Sequence, residues 1–444
     1  MTEQKVSELT ELAAGDLDPS ADWLLVSDMS ALTSKKMKPA EMIRASLPYL
    51  TTAWDFTTGS LLPTVSFTRA STGYRYNSAG VLVPEATDVA RFQYDPVTLT
   101  PRGLLVESAG TNILTYSEDF SNAAWGKTNI TVTANAVAAP DGATTADAFV
   151  ENGATAGHNS ARSATYLNAT TYVHSVYAKQ DTRTWLYIYT DPGRFGGAGF
   201  TFFNLATGTV GTTSAGVTAS MTLEANGFYR CVAIATTTSA GAANFAVGLS
   251  TGDGVLSHAG DGVSKLYVWG ACIVADAVRS SYIQTVASTA TRSADVALVT
   301  NANAISDQCW IIRGRTPRKI SGGAANIILQ VDDGTINNAR RVYYEAGNYL
   351  CVSAVVDGGT TCFFNLGVIA NDTDFTVAVR WADNNFAVSL NGGAVVTDPS
   401  GANPLGLTTA RIGSGVSGGH WNSTIRTIET RRTASDAELP LLAA

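Results

Sequence analysis

The sequence predicts an all-β protein: a small N-terminal module followed by two antiparallel β-sandwiches. Three observations carry that expectation. The 444 residues include 41 Gly and only 15% charged residues, and Thr, Val, Ala and Ser are abundant, a composition suited to pleated, half-buried surfaces. Apolar and polar residues alternate along Tyr172–Lys179, Thr184–Thr190, Phe200–Asn204 and Gly227–Ile234, the period of two that a strand requires. Turn signals separate these runs, including Ala206-Thr207-Gly208 and the hairpin dipeptide Asn391-Gly392.

The totals exclude several classes. A net charge of −8 argues against nucleic-acid binding, which needs a basic face to displace counterions. No apolar run reaches the roughly 18 residues of a membrane-spanning helix, so no membrane insertion is expected. Residues 1–16 are polar and acidic, unlike a basic-then-apolar secretory signal. The five cysteines, Cys231, Cys272, Cys309, Cys351 and Cys362, are dispersed and lack CxxC spacing. They are expected as buried thiols made in a reducing cytoplasm. Cys351 and Cys362 are the pair best placed to meet across a hairpin.

In chain order, residues 1–50 form a distinct module. A turn at Asp18-Pro19-Ser20-Ala21-Asp22 precedes an expected strand over Trp23–Asp28, a second over Thr33–Met37, and a short helix over Lys38–Arg44 with Pro39 in its first turn. So few residues bury too little to stand alone, so docking on a partner or on other copies is expected. Residues 51–118, rich in Thr, Pro, Gly and aromatics, read as an extended β connector. Arg69, Arg91 and Arg102 lie there among acidic and aromatic neighbours and are expected to pair and stack structurally. The stretch Arg102–Trp125 is the hinge into the first sandwich, over 119–296. A second sandwich is expected over 297–444. It holds Trp310–Arg313, Ile327–Val331, Phe375–Trp381 and Phe386–Leu390, and closes on a short helix capped by Ser435 with Glu438 three residues on.

Several phrases together resemble one family. "GLLVE" running into "TNILTYSEDFSNAAW", then "YVHSVYAK", "NLATGTV", "NGFYRCVAIA", "KLYVWGACI" and "SSYIQTVASTATRSADV" look like the carbohydrate-binding-module-like jelly rolls of phage tail-fibre and other virion surface proteins. The second sandwich is similar to concanavalin/laminin-G domains, and residues 1–50 to the modules that fix fibres to the particle. The resemblance implies a homo-oligomer, a trimer by preference, on the virion surface and made in the bacterial host cytoplasm. It would attach to phage tail or capsid proteins through its N-terminus, with Leu9, Leu12, Trp23, Leu24 and Val26 as the attachment candidates. Its partner outside the particle would be a host cell-surface glycan. A capsid decoration or head-spike role is the structural alternative, and a glycan depolymerase the enzymatic one.

The chemistry-bearing residues favour binding over catalysis. Gly415–Gly419 matches a nucleophile-elbow pattern, but its surroundings are Gly/Ser loop and strands, not a strand-to-helix turn. Asp332-Asp333-Gly334 starts like a calcium loop and then loses the acidic spacing. A glycosidase needs two carboxylates across a cleft, and Glu118 with Asp119 point to opposite faces of one segment; Asp253 with Asp261 is the other pair that could be nominated. His158, His174, His258 and His420 show no metal-ligand spacing and are expected as surface or satisfied interior residues. Loops near Glu118, Asp119 and Asp141 supply oxygens for structural calcium by analogy alone, and no other cofactor is expected. Trp185, Tyr187 and Tyr189 share one face of a strand, with Leu186 and Ile188 on the other. That face is the candidate glycan platform, with Asp191 and Arg194 reading hydroxyls and Trp421 as a second location.

Overall fold

The computed structural model describes residues 24–28, 33–37, 50–197, 199–300, 309–318, 325–345 and 347–444. The strands Leu24–Asp28 and Thr33–Met37 pair antiparallel, with Leu24 opposite Met37 and Val26 opposite Lys35. Both strands stand where the sequence places them. Leu9, Leu12, Trp23 and the expected helix over Lys38–Arg44 lie outside the described residues.

The rest of the described chain is two antiparallel β-sandwiches, as expected. The first is built from two six-stranded sheets. One sheet contains Gly126–Thr128, His158–Tyr166, Gly241–Ser250, Trp185–Thr190, Phe200–Asn204 and Thr209–Thr213. The other contains Ile130–Ala138, Thr144–Glu151, Lys265–Ala275, Thr171–Gln180, Tyr229–Thr236 and Thr218–Leu223. Phe149, Val176, Leu186, Ile188, Phe245 and Val268 from the two sheets meet in one core between them.

The expected connector over 51–118 needs correction. Leu50–Asp55 pairs with Ser423–Arg431, Pro101–Val106 pairs with the same strand and with Arg91–Tyr94, and Ser66–Thr68 pairs with Val296–Thr300. These segments are integral strands of the second sandwich, whose sheets have seven and eight strands. The first sandwich is therefore an insertion within the second. The segments that lead into and out of it, Gly110–Asn112 and Ala290–Arg292, pair with each other. The physical reason is burial: Trp54, Phe56, Leu104 and Val106 are at most 1% exposed in the second core, beside Trp310, Val379 and Ile428. Each such side chain contributes about 1.5–3 kcal/mol when buried. Four together rival the net stability of a whole domain, about 5–15 kcal/mol, so this stretch cannot hang free.

A third apolar cluster joins the two sandwiches. Tyr76 and Leu82, from the hairpin of Gly73–Tyr76 and Leu82–Glu85, pack with Tyr177, Phe228, Trp269 and Tyr282 on the outer face of the insert. Beside it lies a buried ionic cluster. Asp295 pairs with Arg69 and Arg91, and Glu107 pairs with Arg91 (2.7 Å) and Arg292 (3.2 Å), with all five side chains at most 3% exposed. Arg69 also donates to the carbonyls of Ser71, Glu85, Ala86 and Val89. The structural pairing expected of Arg69 and Arg91 is what they do, and Arg102 pairs with Asp95 at 2.5 Å.

Local signals hold elsewhere. Asn391 and Gly392 take φ of 50° and 69° and Gly393 N donates to Leu390 O at 2.9 Å, a turn of the mirror-image type that suits twisted strands. The expected Ser435 cap is not formed: the helix Glu438–Leu442 starts after Ala437 without a side-chain cap, although the Ser435 N–H and hydroxyl both donate to the Glu438 carboxylate at 2.7 Å. All five cysteines are buried thiols. Cys351 sits opposite Asn365 and Cys362 opposite Ala354, so that pair does not face across its hairpin.

Candidate functional site

The strand Trp185–Thr190 divides as its alternation predicts: Leu186 and Ile188 enter the core between the sheets, and Trp185, Tyr187 and Tyr189 take the outer face. What covers that face was not visible in the pattern. Tyr187 is 3% exposed because its ring lies across Gly248 on the neighbouring strand, where a Cβ would come within 2.2 Å of Cζ. Phe200 and Phe202 flank it at 5.5 and 5.8 Å. Burial pushes its hydroxyl up to about 12, against a hydrogen bond with Asn159. Tyr187 is thus corrected from a contact residue to a buried support. Trp185 and Tyr189 stay half-buried. The 251–255 loop reaches over Trp185, since a Cβ at Gly211 would meet both Asp253 and the Trp185 ring, and Asp253 holds Thr212 through its N–H (2.7 Å) and hydroxyl (3.0 Å).

Asp191 closes its own turn by accepting from Gly193 N at 2.8 Å. Arg194 donates to Ser239 Oγ at 3.2 Å and lies against Gly241. Both are loop organisers beside the aromatic face. Trp421 is corrected outright. It is fully buried in the second core against Tyr344 and Phe375, with its indole N–H donating to Thr424 O at 3.3 Å. The glycines preceding it suggested a surface loop, but the strand that follows draws the ring inward. Gly415–Gly419 closes on itself through Gly415 N to Gly418 O and leads into the strand Ser423–Arg431, with no helix after it.

A larger feature was missed by the sequence reading. A cleft of about 380 Å³ opens between the sandwiches, walled by Tyr74, Tyr94, Arg102, Arg279, Tyr282 and Arg318 among others. That volume suits a small ligand. Tyr74 is half-buried, packs edge-on against Tyr282 at 5.4 Å and donates to Gln284 Oε1 at 2.7 Å. Tyr94 is also half-buried. The carboxylates are held by arginines: Arg279 reaches Glu224 at 3.1 Å, Arg315 reaches Asp372 at 2.6 Å, and Arg318 closes on the same Asp372. Burial pushes Glu224 up, and Arg318 and Arg230 pull it back. The signal that could have found the cleft is the density of Tyr and Arg in Tyr74-Arg75-Tyr76 and Arg91–Tyr94. Those phrases carried no hint of which surface they would face.

The histidines also need correction. His158 and His258 are buried with ring centroids 4.6 Å apart, because Ala156 pairs with His258 across a two-residue ladder. With Glu151 they form the group of potential metal-ligating side chains found among the described residues. At the loops nominated for calcium, Glu118 accepts from Tyr282 (3.0 Å) and Gln284 (2.9 Å), and Asp119 from Ser121 and Asn122.

The fold and cleft define an all-antiparallel protein of two sandwiches, one nested in the other, with a tyrosine- and arginine-lined cleft at their junction. No protein-family model matches the chain, and no curated protein sequence matches it. Among solved structures it is similar to the Ruminococcus gnavus IT-sialidase CBM40, at 16% identity over 32% of this chain and 84% of that one, with a TM-score of 0.26. The same module bound to alpha2,3 sialyllactose gives 0.27 over the same shares. A native heptameric SAP-like pentraxin from Limulus polyphemus gives 14% identity, 32% and 70% coverage, and 0.23. At these TM-scores the likeness carries no argument about this chain, and the sandwich assignment rests on the strand pairing above.

Proposed function

We propose that this chain is a phage virion surface protein of the tail-fibre or receptor-binding kind. In this reading its N-terminal residues fix it to the particle, other copies complete a trimer, and it holds a host surface glycan without cleaving it. The observation that carries the glycan reading is the cleft. Half-buried Tyr74 and Tyr94 offer ring faces to the C–H surface of a sugar, and the arginine–carboxylate pairs beside them offer fixed donors and acceptors to hydroxyls. Binding without cleavage is supported by the state of the acids: those lining the cleft are engaged by arginines, whereas a general acid must be free to give up a proton near neutral pH.

The test is a glycan array or host-cell pull-down with the full chain, compared with Tyr94→Ala, Tyr74→Ala and Trp185→Ala. Loss of binding in the two cleft variants, with Trp185→Ala unchanged, is the expected result. Loss in Trp185→Ala alone would move the site to the outer sheet face. A parent protein that binds no host glycan, or that releases reducing ends from host polysaccharide, would overturn the reading.

A further inference from the structure

In the inserted sandwich, beside the buried Tyr187, three elements bring ionisable side chains into one buried pocket. Glu151 ends the strand Thr144–Glu151, His158 begins His158–Tyr166, and His258 lies on the short strand His258–Ala259. Their relative exposures are 1%, 0% and 9%, and one ligand atom from each lies within 4.8 Å of the others. His258 Nε2 stands 2.9 Å from Glu151 Oε2. Two ligands of a single ion, each about 2.1 Å from it, stand about 3–3.5 Å apart at octahedral or tetrahedral angles. The pair is already spaced as neighbouring ligands would be.

His158 supplies the independent observation. Its Nδ1 faces Asn129 O at 2.8 Å, while its Nε2 has only a second carbonyl, His258 O, at 3.4 Å. A neutral ring that donates from Nδ1 to Asn129 leaves the Nε2 lone pair facing an acceptor, inside a pocket closed to water. A backbone carbonyl on the far nitrogen is also the arrangement that orients a metal-binding imidazole. His258 Nδ1 is likewise buried without a hydrogen-bond partner. The frame is built to hold these rings. Asn129 takes a left-handed φ of 55° and anchors Gly157 O through its amide at 2.9 Å. Gly260 approaches so closely that a Cβ there would stand 1.9 Å from Asn152 O and 2.9 Å from His158 Cε1.

Two carboxylates, Glu151 and Asp261, face one guanidinium, Arg183, at 2.5 and 3.9 Å. Glu151 is thus paired inside the pocket, and Asp261, its side chain 47% exposed, adds one further carboxylate at the solvent edge. We propose that Glu151, His158 and His258 bind a divalent transition-metal ion of the zinc class, through one Glu151 carboxylate oxygen, His158 Nε2 and His258 Nε2. Binding replaces the hydrogen bond between His258 and Glu151: the neutral ring changes tautomer, its proton moving from Nε2 to Nδ1, so that the Nε2 lone pair faces the ion. Arg183 stays on the carboxylate as its outer partner. Two nitrogens and one oxygen suit zinc, nickel or cobalt better than calcium, which takes oxygen ligands throughout.

The test uses the full chain without a histidine tag, stripped with chelator and dialysed. It is titrated with Zn²⁺, Co²⁺ and Ca²⁺ by calorimetry, with thermal melts alongside. The expected result is one zinc per chain, a Tm that rises with zinc concentration, and visible absorption bands from bound Co²⁺. His258→Gln keeps a donor for Glu151 and so should fold, yet should weaken zinc binding by more than about 100-fold; His158→Gln should do the same. Absence of stoichiometric zinc and of any Tm shift in the parent would overturn the proposal. So would zinc binding of undiminished affinity in both variants when their metal-free melts match the parent.

Discussion

Arg91 and Asp295 form an ion pair with neither side chain exposed to solvent, although they stand 204 positions apart in sequence, with the whole inserted sandwich between them. The pair closes the point where the chain leaves one sandwich and returns to it. Glu107, Arg69 and Arg292 complete the cluster.

Removing one member should therefore cost more than a surface pair would. Asp295→Asn leaves Arg69 and Arg91 buried without their shared counter-charge, and a loss of about 3–5 kcal/mol is expected. Chemical denaturation followed by Trp fluorescence measures it. A loss below about 1 kcal/mol, the range of exposed pairs, would show that water reaches the cluster.

The same cluster sets an acid limit. Burial alone would raise Glu107, but Arg292 and Arg91 hold it down at about 2, below its ordinary 4.5. A depressed carboxylate contributes stability that is fully present above the unfolded value and is lost as pH falls through the folded one. Stability should decline between pH 4.5 and 2, by on the order of 3 kcal/mol from this group. Glu107→Gln should flatten that part of the curve while lowering stability at neutral pH. Denaturation midpoints measured at half-unit steps of pH test both.

His174 predicts a second, milder window. It is fully buried, stacked on Phe245 at 5.9 Å, and burial lowers it from 6.5 to about 4. Here the unfolded chain takes up the proton first, so stability is complete above pH 6.5 and drains away as pH falls toward 4. His174→Phe should abolish this slope without touching the one below pH 4. An unchanged slope would assign it to another group.

Gly248→Ala tests the seat of Tyr187. The added Cβ would stand 2.2 Å from the ring and 2.6 Å from His158 O, so rotating the ring does not free the space. A loss of about 1–3 kcal/mol is expected, read from thermal melts. A stable variant would mean that the two strands can part at this point.

Much of this molecule is legible in local pattern. The inward turn of Leu186 and Ile188, the Asn391-Gly392 turn and the link from Glu438 back to Ser435 each follow from residues a few positions apart. The larger errors lie at long range. Nothing near Leu50 says that its strand will pair with Ser423–Arg431, because an antiparallel ladder imposes no local signature on who its partner is. Alternation placed Tyr187 on the outer face, yet could not show that Gly248 and the neighbouring aromatics would cover it. His158 and His258 come together only through pairing across 102 residues, from Ala156 to His258, and spacing in the sequence carries no trace of that.

The nesting of one sandwich in the other also dictates an order of events at the ribosome. At roughly 5–20 residues per second, about 20–70 s separate synthesis of Leu50–Asp55 from that of its partner Ser423–Arg431. The insert has all its strands by residue 292 and can close early. The flanking strands must wait with Trp54, Phe56 and Leu104 uncovered, which makes the nascent chain a client for chaperones until its last long strand emerges.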